Sequence, residues 1–190
     1  MKTRKLFFII TIICTVSANS QITKGNWMVG GDGSFSNKEF YNNSLKNEGA
    51  KTSELSINAN VGYFIIDKLQ AGVRFGYDDY KFKNGISNDS DRYWVKYGVY
   101  TRYYFLKPEK LVNIYLDGEY FFGNNAFSGG QFKERQDGYS VSVGPTIFFN
   151  SSVAMELGIN YSSAKFRVLN DATENNLQFR VGFQIFLEKN

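Results

Sequence analysis

The sequence predicts an all-β chain, an eight-stranded antiparallel up-and-down transmembrane β-barrel, and three observations predict it. Apolar and non-apolar residues alternate with period two in segment after segment. The links between those segments alternate between short and long. No segment beyond the first 20 residues approaches the run of about 18 apolar residues that a membrane helix needs. Composition agrees: 18 Phe, 13 Tyr and 18 Gly against 2 Pro suit many strands with close backbone approach.

Ahead of the strands, Met1 to Lys5 is basic, Leu6 to Val16 is apolar, and Ala18 and Ser20 are small residues placed for cleavage before Gln21. This is the pattern of a secretory signal peptide, too short to span a bilayer as a helix. The expected organisation is therefore a signal peptide over 1–20, cleaved after Ser20, and one barrel domain over 21–190. The formal charge of +4 falls to +1 beyond the leader, because Lys2, Arg4 and Lys5 lie within it. A nucleic-acid partner is not expected from so balanced a chain. The single cysteine, Cys14, is also in the leader, and the chain has no histidine. Disulfide frameworks, cysteine or histidine metal sites and His-based nucleophilic catalysis are excluded together.

The strands follow in order. The first covers Trp27–Phe35. The second sets Leu55, Ile57, Ala59, Val61, Tyr63 and Ile65 against Glu54, Ser56, Asn58, Asn60, Gly62 and Phe64. In the third, Leu69, Ala71, Val73, Phe75 and Tyr77 alternate with Gln70, Gly72, Arg74 and Gly76. The fourth and fifth, Tyr93–Phe105 and Leu111–Phe122, are interrupted on the apolar face by Thr101 and Gly118. The sixth, Gly138–Phe149, contains Pro145, where a bulge or a frayed end is expected because proline donates no ladder hydrogen bond. The seventh, Val153–Tyr161, and the eighth, Leu177–Leu187, alternate cleanly again. Over the second, third, seventh and eighth strands one face is apolar at 22 of 22 positions, and the other has only Phe64 and Phe186 as large apolar residues.

The links Ile66–Lys68, Leu106–Lys110 and Asn150–Ser152 have 3, 5 and 3 residues. Ser36–Ser53, Asp78–Asp91, Asn124–Asp137 and Ser162–Asn176 have 18, 14, 14 and 15. All the long links thus fall at one end of a meander, and the short turns and both termini at the other, as in transmembrane barrels. Tyr63, Tyr77, Tyr93, Tyr103, Tyr120, Tyr139 and Tyr161 sit near strand ends on the apolar face, where an interfacial girdle belongs. A soluble lipocalin-like carrier is the competing reading, with the apolar face turned inward and Gly25-Asn26-Trp27 as its G-x-W opening. The non-apolar face, rich in Gly, Ser, Asn and Gln, suits a narrow lumen better than a soluble surface.

These stretches resemble a known family. Gly25–Ser36, Asn58–Tyr77, Val143–Ser162 and the closing LQFRVGFQIFL of Leu177–Leu187 are similar to the small outer-membrane β-barrels of the OmpA-like and OmpX-like kind. The resemblance implies an outer-membrane location in a Gram-negative-type envelope, both termini periplasmic, and a closing strand read by the barrel-assembly machinery. Glu188-Lys-Asn190 departs from members that end on the aromatic itself, and no periplasmic domain is expected after the barrel. Outer-membrane lipid and lipopolysaccharide are expected partners, a monomer is expected, and the long links are expected to meet an extracellular ligand. The expected role is structural or surface-interacting, with a narrow channel for small or hydrophobic solutes as the alternative. Barrel enzymes of this class use His with Ser or Asp, so no enzyme activity and no cofactor are expected.

Glu54, Asp117, Glu119 and Glu156 share the predicted lumen face with Arg74, Lys96, Arg102 and Arg180. Four acids against four bases predict an interior ion-pair network, with Arg102–Asp117 and Glu156–Arg180 as candidate partners on neighbouring strands. Asp117 and Glu119 also have the spacing of an acid/base pair, a reading that ranks below ion pairing. Trp94, Tyr100, Tyr115 and Phe121 are expected to fill the interior. Asn88, Asp89 and Asp91 lack the ligand spacing of a calcium loop. Lys81, Lys83, Arg92, Lys133, Arg135, Lys165 and Arg167 place positive charge at the long-link end, either as contacts for lipopolysaccharide phosphates or, at least as readily, as scattered solvated side chains.

Overall fold

Eight strands follow one another along the chain and close on themselves: β1 (Trp27–Phe40), β2 (Ala50–Ile66), β3 (Leu69–Asn84), β4 (Ser87–Tyr104), β5 (Val112–Phe127), β6 (Arg135–Phe148), β7 (Val153–Phe166) and β8 (Thr173–Leu187). This computed structural model describes residues 22–40, 50–84, 87–127, 135–167 and 173–188. The expected leader with its cleavage point after Ser20, and Lys133, lie outside the described residues. So do the side chains of Asn88, Asp89 and Asp91. Every strand pairs antiparallel with its sequence neighbours, and β1 closes the barrel on β8 from Trp27↔Leu187 to Gly33↔Val181. The seam is paired over these seven positions, and beyond them β1 and β8 continue on their other neighbours, β2 and β7; pairing backbone groups between strands is the condition for crossing a bilayer with them.

The alternation in the sequence becomes an outward apolar face and an inward polar one. Phe75, Val99, Leu177, Phe179 and Phe183 are exposed on the outside, while Asn60, Gln70, Asn160 and Gln184 are buried inside. That polarity is the reverse of a soluble carrier's and matches contact with lipid. Trp27, the aromatic of the G-x-W opening, points outward at 49% exposure and packs its ring 5.1 Å from that of Tyr63. The lipocalin-like reading is corrected accordingly. Trp27, Tyr63 and Tyr103 mark the short-turn end of the wall. Tyr77, Tyr93, Tyr120, Tyr139 and Tyr161 lie outward towards the long-link end.

Two expectations about the strands are also corrected. The strands are 14 to 18 residues long and run well into the segments expected as long links. β3 and β4 stay paired up to Asn84↔Ser87, so most of Asp78–Asp91 is ladder. Beyond the membrane both faces of a strand meet water or the barrel mouth, so the apolar alternation stops while the backbone still gains by pairing. Pro145 makes neither a bulge nor a frayed end. The β6–β7 ladder lapses between Val143↔Ile159 and Thr146↔Glu156 and resumes in the same register, and Pro145 keeps its place opposite Ile114 on β5. The Phe148 amide donates to Leu111 on the β5 side, so alternation turns the donor-less nitrogen of Pro145 towards β7.

Candidate functional site

Residues pointing inward from all eight strands build the candidate site, the lumen, and it has three levels. At the short-turn end Met28, Phe64, Tyr104, Phe148 and Phe186 meet as an apolar floor, with Ile22 tucked beneath them and fully buried. The Phe64 ring lies 6.2 Å from Phe186 and 6.1 Å from Tyr104, and Phe148 lies 5.4 Å from Phe186. The segment before β1 is fastened across this end. The Lys68 amide donates to the Ile22 carbonyl at 2.8 Å, the Gly25 amide to Phe64 at 2.9 Å, and the Lys24 amide to the Asp67 carboxylate at 2.8 Å. In the sequence, Phe64 and Phe186 stood out only as exceptions on the polar face. They are exceptions because they close the floor.

Above the floor a chain of charges crosses the barrel. Arg74 (β3) donates to both oxygens of Asp117 (β5) at 3.0 and 2.9 Å and to Glu119 at 2.8 Å. Arg102 (β4) donates through Nε to Asp117 at 3.0 Å and through Nη1 to both oxygens of Glu156 (β7) at 2.8 and 2.9 Å. Glu156 further accepts from Thr146 at 3.1 Å, from Gln184 at 2.9 Å and from the Tyr104 hydroxyl at 3.3 Å. Tyr100 lies against the Arg74 guanidinium at 4.6 Å and Tyr115 against Arg102 at 4.7 Å. The Tyr100 ring fits because Gly62 and Gly72 face it across the ladder; a Cβ on Gly72 would stand 2.7 Å from that ring. Charges so shielded from water require partners, and here each carboxylate of the chain, Asp117, Glu119 and Glu156, accepts at least two hydrogen bonds.

The third level is the mouth. Asp78 accepts from Lys96 at 2.6 Å and from the Ser56 hydroxyl at 2.7 Å. Glu54 accepts from Tyr80 at 3.1 Å, from Gln178 at 2.5 Å and from Asn176 at 3.3 Å. Trp94 and Phe166 pack 5.3 Å apart, and Phe121 lies 5.6 Å below the Lys96 ammonium. The recess among these groups holds about 40 Å³, and the cavity beside Arg102 and Glu156 about 10 Å³. Space on that scale admits a water or two. Trp94, Tyr100, Tyr115 and Phe121 are all buried within it.

All eight charged residues singled out from the sequence point into this interior. Arg102 and Asp117 stand directly opposite in the β4–β5 register. Glu156 and Arg180 do not meet. The β7–β8 register sets Glu156 against Gly182 and Arg180 against Gly158. Glu156 reaches across the lumen to Arg102 instead, and Arg180 faces Asp32 on β1 with Nε 3.7 Å from Oδ1. The stagger of a closed barrel carries the nearest charge to a non-neighbouring strand, which strand order alone cannot locate. The expected balance of four acids and four bases is likewise corrected. Asp32 and Asp78 belong to the interior; the first sits in a strand with blurred alternation, and the second was assigned to a link. Asp117 and Glu119, the candidate acid/base pair, both hold Arg74.

A family model described as outer membrane protein beta-barrel domain matches residues 6–184. No curated protein matches the chain by sequence. Among solved structures the chain is similar to the outer membrane protein OprG from Pseudomonas aeruginosa, with a TM-score of 0.60 and 12% identity over 90% of this chain and 100% of that one. It is similar to Neisserial surface protein A at 0.55 and 18%, covering 87% and 98%. The N-terminal β-barrel domain of Pseudomonas aeruginosa OprF gives 0.50 and 13%, covering 86% and 98%. At these identities the likeness is one of fold.

Proposed function

The chain belongs to the outer membrane protein beta-barrel domain family, and on that premise we propose that it is a sealed, non-conducting barrel of the outer membrane that acts through its surface. In this reading the long-link end faces the outside, both termini are periplasmic, and the protein works as a monomer without catalysis. The strand extensions beyond the outer tyrosines present the surface to an extracellular ligand. Lipopolysaccharide surrounds the wall, and the barrel-assembly machinery reads β8 during insertion.

One observation carries the reading: the lumen is closed twice in series. The floor of Phe64, Tyr104, Phe148 and Phe186 lies under a crossing chain from Glu119 through Arg74, Asp117 and Arg102 to Glu156. A solute would have to displace both, and an eight-stranded barrel has no width to spare for it. The narrow-channel alternative lacks a path of this kind. Planar-bilayer recording from the purified protein tests the proposal. The expected trace shows no stable conductance steps, and reproducible steps with solute selectivity would transfer the assignment to the channel reading.

A further inference from the structure

A groove of about 440 Å³ lies on the outer wall, against about 40 Å³ for the recess at the mouth. We propose that this groove seats a lipid with a phosphorylated, negatively charged headgroup, its acyl chain on the wall below and its phosphate at the rim. The proposal rests on the reading above in one respect, that the long-link end lies in the outer leaflet.

Register places the parts. Tyr97, Phe122, Asp137 and Lys165 form one outward row across β4, β5, β6 and β7. The row on the membrane side of it carries Tyr120 opposite Tyr139, the interfacial tyrosines. The row on the outer side carries Arg135 opposite Arg167, whose amide donates to the Arg135 carbonyl at 3.0 Å. Tyr97 and Phe122, 5.9 Å apart and close to half exposed, form an apolar floor continuous with the lipid-facing wall. Asp137 accepts from Arg167 Nε at 2.6 Å and from the Tyr120 hydroxyl at 3.0 Å, which holds the arginine at the rim.

Three cations therefore lie around the Asp137 carboxylate beside an apolar floor, Lys165 one row and Arg135 and Arg167 two rows outside the tyrosines. Tyrosine at that depth marks the boundary between acyl chains and headgroups. A cationic cluster one to two rows further out stands where headgroup phosphates lie, and guanidinium groups match phosphate oxygens in geometry as well as charge. Neither a free anion nor a purely apolar molecule would use both halves of the groove.

The test is titration of the purified barrel, in zwitterionic micelles, with fluorescent diphosphoryl lipid A. Arg135→Gln with Arg167→Gln should weaken binding by about tenfold or more, as loss of charge-assisted contacts does. Phe122→Ala should weaken it less, and Lys81→Gln with Lys83→Gln, on the β3 side of the wall, should leave it unchanged. Folding of each variant is read from the gel shift between unheated and heated samples. Binding by the double arginine variant within about twofold of the wild type would overturn the proposal. So would equal weakening by the β3 lysine variants, or displacement of the lipid by inorganic phosphate at matched concentration. Bilayer conductance is read separately. A conducting barrel that binds the lipid sinks only the sealed-barrel reading, and a silent barrel that does not bind sinks only this one.

Discussion

Arg102 and Glu156 show what a buried charge in a narrow barrel requires. Their side chains are 3% and 5% exposed, and the cavity beside them has room for little more than one water. Removing one partner leaves the other stranded, so Arg102→Ala and Glu156→Ala should each lower stability by about 3–5 kcal/mol in detergent. The double variant should cost clearly less than their sum, with a coupling well above ~0.5 kcal/mol, the limit for independent sites. Urea unfolding of the four-member cycle measures it. Asp32 and Arg180 supply the comparison. Their 3.7 Å separation is too long for a hydrogen bond, and Asn58 also donates to Asp32 at 2.8 Å. Their cycle should return a smaller coupling. If the two cycles gave equal values, the distances would not be what sets the energies.

At the scale of the element, β6 carries the one proline in a strand, and its effect is local because only one side of the strand loses a donor. Position 145 lies opposite Leu157 in the shared β6–β7 register, and the ladder is missing only there and at the adjacent pair of Gly144 and Gly158. Pro145→Val restores an N–H facing β7 and keeps an apolar side chain towards lipid. It should raise the stability against urea by about 1 kcal/mol, the net worth of one backbone hydrogen bond. An unchanged or lower midpoint would mean that the wall is bent at this point for another reason. The elements were legible in the sequence to different depths. Leu55–Ile65 and Leu177–Leu187 alternate without a break, because lipid and lumen ask for opposite side chains at every step. Residues 78–84 and 87–91 carry no strand signal, because strand pairing outside the membrane needs no apolar face and leaves no period in the sequence. Arg102 and Asp117 could be paired from the sequence, since one short turn fixes their register. Glu156 with Arg102, and Arg180 with Asp32, could not, since closure of the barrel sets those contacts.

For the whole molecule, the sealed-barrel proposal raises the question of which of the two closures would be the working seal. The floor is apolar and depends on packing, with Phe64 and Phe186 almost entirely buried and Ile22 held under them by the Lys68 amide. The charge chain depends on ion pairs drawn from β3, β4, β5 and β7, and it meets the floor through Tyr104 and Met28, not through Phe64 or Phe186. Phe64→Ala with Phe186→Ala should therefore destabilise the barrel by several kcal/mol, about 3–5 for each large-to-small change where the site fails to collapse. The variant should still migrate differently unheated and heated on SDS gels, because the closed hydrogen-bonded wall is untouched. It should also remain without stable conductance, since Arg74 and Arg102 still cross the lumen between Asp117, Glu119 and Glu156. Only when the floor change is combined with Arg102→Ala should ion flow rise, as water reaches the space between β4 and β7. Stable conductance from the floor variant alone would show that the aromatic packing is the working seal and that the ion pairs serve stability only.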